Sequence, residues 1–140
     1  MINFKDVFEL IKKHEGFSKK LYKCPAGKLT IGYGRNIEDC GISKDEAEYF
    51  LKNDILKSID DLYFIFGYDF FNSLNDEWKI VLIDMMYNLG ANGFKRFKRM
   101  IKAIKMKDFE SAINEMKDSK WYHQVGDRSK NLISIVKDAE

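Results

Sequence analysis

Apolar residues at Phe4, Val7, Phe8 and Ile11 recur at the spacing of one helix face. The pattern predicts a helix ending near His14, with Gly16 as its stop because glycine accepts left-handed backbone at a helix end. Glu15 then stands where the helix hands over to the next element. There the period shortens. "KLYK" (Lys20–Lys23) and "KLTIGYG" (Lys28–Gly34) read as two short strands, joined by the turn "CPAG", Cys24 to Gly27, whose proline and glycine suit a reversal. A third short strand is expected near Arg35–Ile37. "SKDE", Ser43 to Glu46, is a capping box, in which serine and glutamate each satisfy a free backbone N–H. Helical spacing follows through Ala47, Phe50, Leu51, Ile55, Ile59, Leu62 and Phe66. A further stripe, Trp78, Val81, Leu82, Met85, Met86 and Leu89, is closed by Gly90. Asp108 and Asp127 are candidate caps for helices that turn Phe109, Ala112, Ile113 and Met116, then Leu132, Ile135 and Val136, inward. The outline is α+β and mainly α: a small hairpin lobe, a long connecting helix and a helical lobe.

Composition narrows this little. A chain of 140 residues with 45% hydrophobic and 14% aromatic content can bury a core, and is expected to form one domain and act as a monomer. The net charge of +2 does not argue for a nucleic-acid partner. Its distribution is uneven, however. Glu38 to Asp69 holds nine acidic and three basic residues, whereas "KRFKRMIKAIKMK", Lys95 to Lys107, holds seven basic residues and no acid. That stripe reads either as a solvated helix face, with Phe94, Phe97, Met100, Ile101 and Ile104 beneath it, or as an attractor for a polyanion. Cys24 and Cys40 match no disulfide framework, and with only His14 and His123 they match no zinc pattern, so neither a metal nor another cofactor is expected. Charges interrupt the apolar N-terminal stretch, which predicts neither a signal peptide nor a membrane span, and hence synthesis in the cytoplasm without stable membrane insertion.

The stretch "HEGFSKKLYKCPAGKLTIGYG" carries the candidate chemistry. Cutting a glycosidic bond requires a proton for the leaving oxygen and support for an oxocarbenium-like transition state, usually from two carboxyl groups. Glu15 at a helix end suits the acid, provided partial burial helps it hold its proton. On the hairpin there is a thiol, Cys24, in place of a second carboxylate, and a hydroxyl, Thr30, one strand away. Taken alone, the three residues also fit a helix-end charge, an inert thiol and a β-branched strand residue.

The spacing of Glu15, Cys24 and Thr30 resembles the catalytic triad of the phage-type lysozymes, glycoside hydrolase family 24, in the form that carries cysteine instead of aspartate. "GISKDEAEYFLKNDI", "SLNDEWKIVLIDMMYNLG" and "SKWYHQVGDRSKNLI" are similar to the connecting helix and C-terminal lobe of that family. The resemblance implies a lysozyme-like two-lobed fold: one domain over 1–140, with a β-containing lobe at about 15–45, a connecting helix at about 46–66, and a helical lobe of about 67–140 plus the N-terminal helix. It implies an N-acetylmuramidase whose partner is bacterial peptidoglycan, acting on the wall after release from the cytoplasm. Glu15 would be the general acid, Cys24 the second catalytic group, and Thr30 the residue that positions water or substrate. Arg128 matches an arginine packed against the acid, and Tyr87 and Asn88 match saccharide contacts, Asn88 replacing a common glutamine. Arg35 stands where the best-known member of the family has histidine; Asn36, Phe97 and Glu115 stand where its other sugar contacts are leucine, serine and asparagine. A lytic transglycosylase, or an inactive wall-binding module on the same fold, remains an alternative because the second carboxylate is missing.

Overall fold

The computed structural model describes residues 1–138. The fold is α+β and mainly α, as the periodicity predicts, and of the lysozyme-like kind that the resemblance implies. Two compact units divide the chain, Met1–Tyr49 and Phe50–Glu140.

The first unit opens with α1 (Phe4–Glu15), capped by Asn3, whose side chain accepts from the N–H of Lys5, and closed by Gly16, whose N–H donates to the Lys12 carbonyl. Strands β1 (Ser18–Lys23), β2 (Leu29–Gly32) and β3 (Arg35–Asn36) form an antiparallel sheet in that order. Tyr22 lies opposite Thr30, and Thr30 opposite Asn36, so Thr30 holds the middle of the sheet. It is the one buried residue among the described residues of this unit, at 2% exposure. A short helix α2 (Ile37–Cys40) follows, and then α3 (Lys44–Phe66) begins on the expected capping box. The Ser43 N–H donates to Glu46 at 2.8 Å, and the Glu46 N–H to the Ser43 hydroxyl at 3.1 Å.

The second unit holds the rest of α3, then α4 (Tyr68–Ser73), α5 (Asp76–Lys95), α6 (Lys98–Lys105), α7 (Phe109–Lys117), α8 (Lys120–Gln124) and α9 (Asp127–Lys137). Its core is built from Leu62 and Phe66 of α3 and from the α5 stripe, Trp78, Val81, Leu82, Met85 and Met86. Phe94, Met100, Ile104, Met116, Leu132 and Val136 complete it from the later helices.

Several expectations shift. Gly90 breaks the helical backbone as predicted (φ 70°, ψ 170°), yet helix resumes at once and α5 runs on to Lys95. Asp108 does cap α7, accepting from the Ser111 N–H at 3.1 Å. Asp127 is not the cap of α9. Gly126 takes that position, since the reversal there needs its positive φ of 57°, and Asp127 falls in the first turn, where its charge still favours the helix dipole. Along α3, only Leu62 and Phe66 of the expected apolar series are buried.

Candidate active site

Glu15 is the last residue of α1, and aromatic contacts pin that helix end to the turn after β2. The rings of Phe17 and Tyr33 lie 5.5 Å apart, and the Lys12 ammonium sits over Tyr33 at 5.4 Å. The Glu15 carboxylate thereby rests against Gly34, in the space that a β-carbon there would occupy. The partial burial anticipated for Glu15 is not found: the residue is exposed.

Cys24 and Thr30 are brought together by the hairpin turn. The Gly27 N–H donates to the Cys24 carbonyl at 2.8 Å, closing the reversal around Pro25 and Ala26. The Lys28 carbonyl then accepts two bonds, from the Cys24 N–H at 3.0 Å and from the Thr30 hydroxyl at 2.9 Å. One backbone oxygen thus anchors both candidate residues. Backbone N–H groups around the turn favour the anionic sulfur. The Lys28 N–H contributes most to lowering the thiol pKa from its ordinary 9.0, partial burial of the sulfur opposes it, and the Ala26 N–H and Thr30 hydroxyl reinforce the lowering. Outside the turn, the Lys28 ammonium reaches Glu38 at 3.5 Å and Asp39 at 3.3 Å, and the Leu29 N–H donates to Glu38 at 3.4 Å. These exposed pairs fix where the turn lies against α2 more than they stabilise it. The unit therefore carries a carboxyl group at a helix end and, on the hairpin, a thiol whose ionisation is favoured beside a hydroxyl.

The sequence profile of the family described as Phage lysozyme matches residues 12–137. The chain belongs to the phage lysozyme family. That membership makes it a lysozyme-type glycosidase. A probable T4-type lysozyme 1 of Dictyostelium discoideum is 27% identical, covering 91% of each chain. An endolysin of Acyrthosiphon pisum secondary endosymbiont phage 1 is 31% identical over 80% of this chain and 74% of its own.

The other residues that the resemblance singles out have defined local partners. Arg35 donates from Nε to the Gly41 carbonyl at 3.0 Å and from Nη1 to Glu46 at 2.8 Å, tying β3 to the capping box. Asn36 caps α2, accepting from the Asp39 N–H at 3.1 Å and donating to its carboxylate at 2.9 Å. In the second unit, Tyr87 and Arg128 line one cavity of about 370 Å³ with Asp84, Ile83 and Leu51. Phe97 and Glu115 line another of about 630 Å³ with Arg96, Lys98, Arg99 and Trp121. Asn88, on α5, accepts the indole N–H of Trp121 on α8 at 3.0 Å.

Three further residues, without a clear sequence signal, hold candidate side chains in place. Asp84 holds Arg128, accepting from its Nε at 2.8 Å across 44 residues of chain, a separation that leaves no local signal. The fully buried Ser129 hydroxyl is shared between the carbonyls of Tyr122, at 2.6 Å, and Gly126, at 2.8 Å, which fixes the first turn of α9 and so the base of Arg128. Gly34 seats Glu15; the repeated glycine of "GYG" was its only sequence trace. Among the described residues no group of three or more His, Cys, Asp or Glu is gathered as a metal would need, and no helix is long and apolar enough to cross a membrane.

Proposed function

We propose that this lysozyme-type enzyme hydrolyses the β-1,4 bond between N-acetylmuramic acid and N-acetylglucosamine in peptidoglycan, as an endolysin that lyses bacteria. Residues 1–140 act as a single lysozyme-like domain. Glu15 gives its proton to the bridging oxygen as the glycosidic C–O bond breaks, and bound saccharide supplies the shielding from water that the free unit lacks. On the opposite face, the Cys24 thiolate takes a proton from the attacking water, whose oxygen bonds to the anomeric carbon. Thr30 orients that water. Within the second unit Arg128, held by Asp84, is the supporting residue that the family resemblance assigns, and Tyr87, Asn88, Arg35 and Asn36 are assigned to saccharide binding.

The observation that carries this reading is the joint anchoring of Cys24 and Thr30 on the Lys28 carbonyl, in a chain whose family match spans residues 12–137. The absent second carboxylate favours one rival, in which a hydroxyl of the sugar replaces water. Mass spectrometry of fragments released from purified peptidoglycan separates them: reducing muramic ends are expected, and anhydro ends would overturn hydrolysis. Inversion at the anomeric carbon is the expected stereochemistry for a thiolate base; retention would instead mark sulfur as a nucleophile.

A further inference from the structure

Gly34 occupies the turn between β2 and β3 with φ +71°. A β-carbon placed there would lie 2.6 Å from Cδ of Glu15 and 3.1 Å from its Cγ, and closer still to Oε2. Gly32, two residues earlier, has nearly the same φ, +69°, but nothing within 4 Å of such a carbon. Both positions favour glycine for backbone reasons. Gly34 alone combines that with a second demand, room for a carboxylate.

We propose that Gly34 is a positioning residue for Glu15: its missing side chain is the seat of the carboxylate, and any β-carbon at position 34 lifts the acid off it. This rests on Glu15 being the proton donor. The obstructed atoms are the far end of a flexible side chain, so Glu15 yields by rotating and the fold tolerates the change. Proton delivery does not tolerate it, since a shift of about 1 Å in a reacting group can cost on the order of 100-fold in rate.

The matched glycines separate strain from displacement. Gly32→Ala, Gly34→Ala and Gly34→Asn are compared by thermal unfolding and by kcat and KM on soluble peptidoglycan fragments. Asparagine carries the same β-carbon but adopts positive φ more readily, so it keeps the test usable if alanine unfolds. Gly32→Ala is expected to keep most of the wild-type kcat. Both position-34 variants are expected to lose roughly 100-fold in kcat, with KM little changed and with unfolding temperatures close to that of Gly32→Ala. A folded position-34 variant with the kcat of Gly32→Ala would overturn the proposal. So would failure of both to fold where Gly32→Ala folds, because the ease with which Glu15 yields is part of the claim. If Glu15→Gln keeps wild-type rate, the proposed function itself fails; if it is inactive while the position-34 variants are active, only the role of Gly34 fails.

Discussion

At the scale of single residues, the Lys28 carbonyl decides what the Thr30 hydroxyl does. The hydroxyl donates to that carbonyl at 2.9 Å, and its one proton can turn instead to an anionic Cys24 sulfur, whose charge that bond favours. Thr30→Val removes this donor and orphans nothing, because the carbonyl keeps the Cys24 N–H at 3.0 Å. In a Cys40→Ser background, the pH midpoint of iodoacetamide alkylation of Cys24 should rise in Thr30→Val and stay low in Thr30→Ser. Equal midpoints in all three proteins would remove the hydroxyl from the account. Stability is linked to the same proton. The folded thiol titrates below its ordinary 9.0, so between the two values the unfolded chain binds more protons and stability rises with pH. The gain is complete above the ordinary value and is lost as pH falls through the folded one. Unfolding temperatures of Cys40→Ser and Cys24→Ser/Cys40→Ser should therefore diverge in favour of the thiol as pH rises towards its ordinary 9.0; parallel curves would contradict this.

At the scale of elements, caps and turns carry most of the positional information. Asn75 caps α5, accepting from the Trp78 N–H at 2.9 Å, and α5 supplies the central core stripe. Asn75→Ala should cost about 1 kcal/mol in denaturant unfolding at an unchanged m-value. These local features were legible in the sequence. The capping box at Ser43, the "CPAG" reversal, the break at Gly90 and the Asp108 cap each involve residues a few positions apart, where hydrogen bonding is dictated by spacing. Glu15, Cys24 and Thr30 likewise fall on the helix end, turn and strand that the pattern predicts. What spacing did not reveal was long-range or steric. Arg128 finds Asp84 through the packing of α9 on α5, and the seat at Gly34 depends on how a turn meets a helix end. The mistaken cap at Asp127 has a related cause, since the preceding glycine had no side chain to announce it.

At the scale of the whole molecule, charge is the property that a polyanionic substrate would meet first. Lys98, Arg99, Lys102 and Lys105 stay exposed on α6 while Met100, Ala103 and Ile104 are buried, and Arg96, Lys98 and Arg99 rim the larger cavity. Among the described residues none of these cations is held in an ion pair. Replacing Lys95, Arg96, Lys98 and Arg99 by glutamine should slow lysis roughly tenfold at low salt and leave it near wild type once screening is strong, at about 0.3 M. An unchanged salt profile would confine the stripe to solvation. Hydrolysis as proposed depends on one proton, that of Glu15. Clearing of a peptidoglycan suspension by wild type and by Glu15→Gln, matched for folding by circular dichroism, tests that most directly. The variant should lose on the order of 100-fold or more in rate, and a rate close to wild type would contradict the central claim.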